Sequence, residues 1–349
     1  MRKILFILKR REDYNQQHSK VGLQTGLYNS ASYMNEMLNI CAIQSKMVIV
    51  KDNNDIDREV SNYKPTDVII EALWVVPSKF TVLTKLHPNV NWIVRLHSEI
   101  PFLANEGIAL DWIGDYGAFK NVKIATNALR ILEEIRYYLK SRYNWDDNTA
   151  ENKVIYFPNY YPEVSIKKKF NRKKDHIDIG CFGAVRPLKN HMLQAMAALK
   201  FANTINKKLY FHINTGRVEM KGEPILQNLQ SLFTQLSDQG HQLVIHEWYE
   251  REEFLKLCST MDIGMQVSFS ETFNIVAADL ISQGVPVIGS SELPWMNRIF
   301  TSNCVDSESI YRSLLLSYYL PQLNVYLNQF NLNNYTNDTK NEWFRYFIS

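Results

Sequence analysis

The sequence predicts an α/β protein with two domains, each built on a doubly wound parallel sheet. The chain has 349 residues, which is more than one hydrophobic core usually supports, so two domains of roughly 150 to 180 residues are expected. In both halves, short apolar runs that are typical of buried strands alternate with segments of helical periodicity. This alternation favours parallel sheets, because each strand-to-strand crossover passes through a helix.

Six apolar runs in the first half are predicted to be strands. They are residues 4–8, 47–50, 68–72, 92–96, 123–126 and 154–157. The first run is interpreted as a strand rather than a secretion signal, because charged residues follow it from Lys9 onward. No run approaches the ~18 apolar residues that a membrane helix needs, so a cytoplasmic protein is expected.

The composition is ordinary for a globular protein, with 46% hydrophobic and 21% charged residues. The 39 basic and 36 acidic residues leave a formal net charge of +3. This balance neither requires nor excludes a nucleic-acid partner, although dedicated nucleic-acid binders are usually more basic. The four cysteines have no metal-ligand spacing, so structural thiols and no metal site are expected.

The second half is organised around a strand, turn, helix and strand in residues 263–290. The turn of such a unit lies at the carboxyl edge of a parallel sheet, and the helix after it points its amide groups outward, where they suit a phosphate. Glu271 precedes this helix, so its carboxylate is better suited to accept hydrogen bonds from neutral sugar hydroxyls. Asp279 lies about 80° further around the helix and is predicted to bind a second hydroxyl pair, such as a ribose. Gly284 is predicted to end the helix.

These residues carry a resemblance to a known family. Glu271, Asn274 and Asp279, with Phe273, Ile275, Val276 and the following residues 284–287, resemble the donor-binding motif of retaining glycosyltransferases of the GT-B fold, the glycogen-synthase-like and sucrose-synthase-like group. In that group the motif is a Glu, seven residues and a second Glu. Asp279 replaces the second Glu here, and Asn274 stands where a Gly is usual.

The resemblance implies a domain organisation. Residues 1–162 would be an acceptor-binding Rossmann-like domain, residues 163–176 a linker, and residues 177–330 a donor-binding Rossmann-like domain. Residues 331–349 would be a crossing segment followed by a helix that returns to pack on the first domain.

The loop after the predicted strand 177–182 also follows the family pattern, with Gly183, Arg186, Lys189 and Asn190. Because this loop lies at the carboxyl edge, the cationic heads of Arg186 and Lys189 are expected to converge on the diphosphate of a nucleotide sugar. There they would stabilise the negative charge that grows on the leaving phosphate, without a metal.

The resemblance places further residues near the donor. The turn before the helix would contact the phosphate or sugar, and the loop after the strand at 243–246 would contact the base, where Trp248 or Tyr249 could stack. These donor-binding candidates are Thr272, Phe273, Asn274, Ile275, Glu247 and Trp248. Both aromatic residues could equally serve in packing.

In the first half, the candidates lie in two loops. Gly26 belongs to a glycine-bearing loop that the resemblance places near the donor diphosphate; the alternative is a flexible turn. This loop lacks the G-x-G-x-x-G spacing, which argues against a dehydrogenase. His97 follows a buried strand at the ligand-binding edge, where the family often has a His near the donor sugar. Arg95 and Glu99 are candidates for acceptor binding, or else solvated loop charges.

The predicted function is a metal-independent retaining glycosyltransferase that uses a nucleoside diphosphate sugar, expected to be a UDP-sugar, and no cofactor. One possible acceptor is DNA with hydroxymethylated bases, as for phage enzymes of this fold. The protein would then have a basic surface for DNA near its cleft, formed by Arg10, Arg11, Lys20 and the basic run 167–174. The protein would then act in the host cytoplasm. The alternative acceptor is a polysaccharide or other glycan. A non-catalytic nucleotide-sugar or nucleic-acid binding protein, and a sugar-nucleotide epimerase, are alternatives from other classes.

Overall fold

The computed structural model describes residues 2–10, 25–163 and 174–348, and its elements fall into two compact units. The first unit comprises Met1–Pro162 and Thr336–Ser349, and the second comprises Glu163–Tyr335. Each unit contains a six-stranded sheet in the described residues, and every strand pair in both sheets is parallel. The predicted fold class is therefore confirmed.

The first unit alternates strands and helices along the chain. Its strands β1 to β6 are Lys3–Lys9, Gln44–Val50, Asp67–Glu71, Asn91–Leu96, Val122–Thr126 and Val154–Tyr156. Its helices α1 to α7 are Thr25–Ile40, Asp55–Tyr63, Pro77–Leu86, Ile100–Leu103, Ala109–Gly117, Leu129–Tyr143 and Asp147–Lys153. The strand order is β2-β1-β3-β4-β5-β6.

All six predicted strands of the first half are present, and the largest difference in their bounds is at β2. This strand begins at Gln44, three residues before the predicted start at Met47. In the described sheet, β2 lies at the end and pairs with β1 alone. Its first residues are therefore partly exposed and include polar side chains. Because the prediction relied on apolar runs, it placed the start of this strand too late.

The first sheet is covered on both faces by apolar side chains. Residues of β1 alternate between the two clusters, with Leu5 in one and Phe6 in the other. The end of the last helix contributes to the second cluster through Trp343, which stacks on Phe157 at a centroid distance of 4.2 Å. Trp343 also donates a hydrogen bond from Nε1 to the Pro158 carbonyl at 3.0 Å. This indole therefore buries its apolar surface without leaving its N–H unpaired.

The second unit has the strand order of a doubly wound fold. Its strands β7 to β12 are His176–Gly180, Lys208–Asn214, Gln242–His246, Ile263–Gln266, Val287–Ser290 and Thr301–Ser302, in the order β12-β11-β10-β7-β8-β9. Its helices α8 to α12 are His191–Thr204, Glu223–Gln235, Arg251–Thr260, Ile275–Ser282 and Ser307–Tyr319. The chain reverses direction across the sheet between β7 and β10, and ligands bind at such a switch point in open α/β sheets.

Residues 331–340, expected to be a polar crossing segment, are helical, because one helix, α13, runs from Pro321 to Ile348. The chain passes from the second unit to the first within this stretch, after Tyr335. The stretch is polar and rich in asparagine, which has a low helix propensity. Tertiary contacts override that preference within the stretch, where Thr336 donates from Oγ1 to the Tyr161 carbonyl at 2.8 Å. They also do so ahead of it: Asn324 accepts a hydrogen bond from the Val287 amide at 2.9 Å and donates one to the Val287 carbonyl at 2.9 Å. Asn328 accepts from the Asn297 amide at 2.9 Å. None of the described helices is long and apolar enough to cross a membrane.

Replacing Trp343 by Ala is expected to lower the free energy of unfolding by about 3–5 kcal/mol, because a fully buried aromatic side chain is removed from the core of the first unit. Urea unfolding followed by tryptophan fluorescence and circular dichroism measures the loss. Ile348 on the same helix is 68% exposed, so Ile348→Ala should change stability by no more than about 0.5 kcal/mol. Equal effects of the two substitutions would contradict the packing described for Trp343.

Candidate functional site

The two loops that follow β7 and β10 meet at the switch point of the second sheet. These strands are adjacent, with Gly180 opposite Gly264. The loop after β7 ends in a 3₁₀ turn, Pro187–Lys189, and the loop after β10 contains Glu271. Lys189 donates a hydrogen bond from Nζ to Oε1 of Glu271. The structure therefore brings together two residues that the sequence placed 82 positions apart.

The Lys189–Glu271 ion pair is largely shielded from water. The side chains are 11% and 9% exposed, respectively. Because an ammonium group has three N–H donors and a carboxylate has about four acceptor positions, this pair uses only part of the bonding capacity of either group. Chemically, the pair can bind an anionic oxygen at Lys189 and hydroxyl groups at Glu271.

Arg186, the second predicted cation, has a different carboxylate partner. Its Nη1 lies 3.6 Å from Oε2 of Glu219. The preceding residue, Val185, forms an isolated parallel bridge with Val218, which places the two segments side by side. Glu219 was missed by sequence reasoning, because it lies in an irregular segment without a motif. Among the described contacts, Arg186 thus lies beside Glu219, which also pairs with Arg217, and Lys189 is bonded to Glu271.

Two asparagines fix the loops around this site. Asn190 has a positive φ of 57° and donates from Nδ2 to the carbonyls of Val267 at 3.1 Å and Cys304 at 2.7 Å. Asn214, at the end of β8, accepts from the Gly183 amide at 3.3 Å and donates to the Glu247 carbonyl at 3.1 Å. Asn214 thereby connects the loops that follow three strands, β7, β8 and β9.

Asn274 shows why a residue other than Gly is accommodated at the start of α11. Its backbone is left-handed, with φ of 60° and ψ of 83°, a conformation that Asn adopts more readily than most residues. Its Oδ1 accepts from the Ala277 amide at 2.9 Å, and its Nδ2 donates to Gln266 at 2.9 Å. The substitution therefore keeps the backbone shape of a Gly and adds a side-chain cap to the helix.

Asp279 is paired with a residue that the sequence did not identify. Its Oδ1 lies 2.5 Å from Nη1 of Arg251, the first residue of α10, and its side chain is only 3% exposed. The predicted contact with a ribose would therefore require this pair to open. Arg251 carries no recognisable motif, and only the packing of α10 against α11 reveals it.

The remaining predicted donor contacts differ in accessibility. Glu247 is exposed, and Trp248 is partly buried with the Arg217 guanidinium 5.2 Å from its ring centroid. Thr272 is 8% exposed and Phe273 is 1% exposed. The Phe273 ring belongs to the packed interior, and its carbonyl accepts a hydrogen bond from Trp295 at 2.8 Å.

The sequence left open whether Arg95 and Glu99 are solvated loop charges. In the structure both residues, in the first unit, are buried. Arg95 lies within β4 and is 0% exposed, and its Nη1 donates to both carboxylate oxygens of Glu71 at 3.2 Å. Glu99 is 3% exposed and accepts from Nε of Arg130 at 3.2 Å. A buried charge requires a partner, and both residues have one.

His97 follows β4 directly, as predicted, and its Nε2 is hydrogen-bonded to Oε2 of Glu71. Gly26 is the second residue of α1, so the loop expected at this position is a helix. Residues 11–24, which include Arg11 and Lys20, lie outside the described residues, and so does the basic run from residue 167 to residue 173. Lys174, at the end of that run, donates a hydrogen bond from Nζ to Oδ2 of Asp178 at 2.6 Å.

Comparisons with known proteins agree on the fold. No protein-family model and no curated protein matches the sequence. Solved structures match nearly the whole chain. The N-terminal domain of Candida albicans trehalose-6-phosphate phosphatase superposes with a TM-score of 0.68 at 10% identity, over 100% of this chain and 96% of that chain.

Two synthases show the same agreement. The UDP-forming α,α-trehalose-phosphate synthase of Burkholderia vietnamiensis has a TM-score of 0.66 at 11% identity, over 100% and 96% of the two chains. Sucrose-phosphate synthase of Thermosynechococcus elongatus has a TM-score of 0.66 at 11% identity, over 99% and 98%. With two parallel six-stranded sheets and these neighbours, the chain has the GT-B fold.

His191 lies next to the site, as the first residue of α8. It is 1% exposed, and neither ring nitrogen has a hydrogen-bond partner among the described residues. Burial lowers the pKa of His191 to about 3, and the nearby charges of Lys189 and Arg186 add to this effect. The imidazole is therefore neutral in the folded protein at neutral pH.

Lowering the pH from 7 to 5 is expected to destabilise the protein partly through His191. The unfolded chain binds a proton at this residue below about pH 6.5, whereas the folded protein does not until far lower pH, so stability falls by up to about 1.4 kcal/mol per pH unit in this window. Urea unfolding at both pH values measures the change. His191→Leu should show a smaller acid-induced loss; an identical loss in both proteins would contradict the assignment.

Proposed function

We propose that this protein is a glycosyltransferase that transfers a sugar from a UDP-sugar to a hydroxyl group, with retention of configuration and without a metal ion. The observation that carries the proposal is the shielded Lys189–Glu271 pair at the switch point of the second sheet, beside the first residues of α11. The fold neighbours support it, since they include a synthase named as UDP-forming.

The pair suits both parts of a nucleotide sugar. Lys189 has N–H donors beyond the one that it gives to Glu271, and these would bind a diphosphate oxygen. Arg186 would contribute a second cation, and the amide of Ile275 at the start of α11 would add a donor with the favourable end of the helix dipole. Glu271 would accept hydrogen bonds from the sugar hydroxyls.

The chemistry that follows is electrostatic and positional. When the bond between the sugar and the diphosphate breaks, negative charge grows on the leaving phosphate, and prealigned cations lower the energy of that state. In the proposed retaining mechanism, the leaving phosphate of the donor takes the proton of the acceptor hydroxyl, which attacks the sugar from the same face. No side-chain nucleophile is then required. Trp248, which follows β9, and Arg217, which follows β8 and lies over the Trp248 ring, would hold the base, and Asp279 would reach the ribose if its pair with Arg251 opens.

Replacing Lys189 by Ala is expected to reduce the transfer rate by about 10²–10³, because a cation that stabilises the leaving phosphate is lost. The same variant should show a smaller UDP-sugar-induced rise in melting temperature than the wild type, since donor binding is weaker. A panel of nucleoside diphosphate sugars, tested by thermal shift and by labelled-sugar transfer, provides both measurements.

Lys200 offers a matched control. It forms an ion pair with Glu308 on the surface, and its side chain is 54% exposed. Lys200→Ala should leave both readouts unchanged. The proposal fails if no donor of the panel shifts the melting temperature, or if Lys189→Ala transfers sugar as fast as the wild type. Donor binding without transfer or hydrolysis, insensitive to Glu271→Ala, would favour a non-catalytic binding protein.

We propose that the acceptor group is a hydroxyl of a sugar rather than a hydroxymethylated base of DNA. Lys174, the last residue of the basic run that was expected at a DNA-binding surface, is paired with Asp178. Two of the fold neighbours are named for products in which a sugar is joined to another sugar, trehalose phosphate and sucrose phosphate. These names favour a glycan or a sugar phosphate as the acceptor.

Incubation of the protein with a labelled UDP-sugar and a mixture of acceptors is expected to label sugars and not DNA. The acceptors are sugar phosphates, oligosaccharides and DNA with hydroxymethylated bases, separated after the reaction by size and charge. The salt concentration should be varied, because DNA binding weakens steeply with salt. Label in the DNA at low salt, with none in the sugars, would reverse the order of the two acceptors.

A further inference from the structure

An apolar stripe lies on the second unit, along the end of α12 and the first half of α13. One side of α13 faces the interior, where Asn324, Asn328 and Leu332 are fully buried. Large apolar side chains on the other side are between 41% and 65% exposed. This apolar stripe consists of Tyr319, Leu320, Leu323, Tyr326 and Phe330. The helix thus uses one side for the interior of the protein and turns an apolar side to the solvent.

The spacing of the residues within α13 aligns them along the helix. Leu323, Tyr326 and Phe330 are separated by three and then by four positions. At about 100° per residue, they therefore lie within about 60° of one another around the helix axis. The same alternation of three and four positions forms the seam between two packed helices in a coiled coil. The apolar stripe therefore has the geometry to pack against another helix.

The apolar stripe lies in a long segment without charge. Residues 313–337 contain no Asp, Glu, Lys, Arg or His, although 21% of the whole chain is charged. Tyr137 on α6 has a different setting, since it is 74% exposed but has Glu133 and Lys140 on the same side of its helix. The core of a protein interface is poor in charged residues and rich in Tyr and Phe. The composition of the apolar stripe is therefore that of an interface core.

The exposed area is close to what a dimer needs. An aromatic side chain offers about 150–250 Å², so the exposed parts of Tyr319, Tyr326 and Phe330 supply roughly 300–450 Å² before the leucines are added. A stable interface buries about 800 Å² on each partner, and about 65% of it is apolar in homodimers, which is roughly 500 Å². With its leucines, the apolar stripe thus provides most of the apolar surface for one side of a dimer.

We propose that the apolar stripe binds the apolar stripe of a second copy of this chain, with the two α13 helices antiparallel. A neutral surface can face its own copy without like-charge repulsion, whereas it has no charge with which to select a different protein. The segment also lacks the Lys and Arg residues that accompany the apolar face of a helix on a membrane surface. Such a dimer would form whether or not the protein transfers a sugar.

The antiparallel arrangement follows from the sizes of the side chains. A twofold axis beside Tyr326 sets Leu323 of one copy against Phe330 of the other. A smaller side chain then meets a larger one on both sides of the axis, whereas parallel helices would set the two Phe330 rings against each other. Antiparallel helices also oppose their dipoles.

Size-exclusion chromatography with light scattering, at concentrations from about 1 to 100 μM, tests the dimer. We expect the wild type to reach twice the mass of one chain and Tyr326→Glu to stay at the mass of one chain. The substitution occurs twice in the interface and brings two like charges together, so the dissociation constant should rise at least about 30-fold. A monomeric wild type, or a dimer that Tyr326→Glu leaves intact, would overturn the proposal.

Tyr137→Glu is the matched control, because it places the same charge on an exposed tyrosine outside the apolar stripe. We expect this variant to dimerise like the wild type, and circular dichroism to show that both variants are folded. Equal dissociation by the two substitutions would overturn the role of the apolar stripe. A monomeric wild type that binds vesicles of neutral phospholipid would overturn the dimer in favour of a membrane surface as the partner.

Cysteine crosslinking tests the orientation without disrupting the dimer. Leu323→Cys and Phe330→Cys are made separately, with Ser in place of the partly exposed Cys41 and Cys304. After mixing and mild oxidation, antiparallel helices should form a disulfide between the two different variants at least about tenfold faster than within either variant alone, because only that pair comes within disulfide distance. Faster crosslinking of each variant with itself, or none in any combination, would overturn the proposed arrangement.

Discussion

The pairing of buried cations with carboxylates at the carboxyl edges of the two sheets determines how this protein can work. A charge that is removed from water needs an opposite charge and hydrogen bonds, or it shifts to its neutral form. In the second unit, this constraint joins Lys189 to Glu271 and Arg251 to Asp279. In the first unit, it joins Arg95 to Glu71. Of these pairs, Lys189–Glu271 joins the two loops at the switch point, where a parallel sheet binds ligands.

The loops that carry these charges are shaped by a few backbone conformations and amide contacts. Gly183 and Asn190 have positive φ, and so does Asn274 at the start of α11. The side chains of Asn190 and Asn274 then bond to neighbouring strands or to the helix itself. This explains how a short turn can hold a lysine against a carboxylate from another loop. At these two positions, asparagine adopts a backbone conformation that is typical of glycine, and its side-chain amide adds hydrogen bonds that fix the loop. The loops are therefore held in one arrangement before any ligand binds.

The same residue type explains the long last helix. Asn324 and Asn328 are fully buried and use their amide groups to bind backbone atoms of neighbouring segments. A buried amide that satisfies its donors and acceptors stabilises a unique arrangement, whereas an isolated chain with the same asparagines has little tendency to be helical. Further along the helix, Trp343 enters the core of the first unit. One helix therefore supplies residues to both units, each through its own local contacts.

The sequence by itself determined the alternation of strands and helices and the positions of the candidate loops, because apolar periodicity and turn residues act locally. It also identified Glu271 as a functional candidate from its place between a buried strand and a helix, and Lys189 from the resemblance of its loop to a family motif. Only the tertiary structure decided which charges are paired. Glu71, Glu219 and Arg251 belong to no local pattern, and their partners lie far away in sequence. Such pairings depend on strand order and helix packing, which no short stretch of sequence encodes.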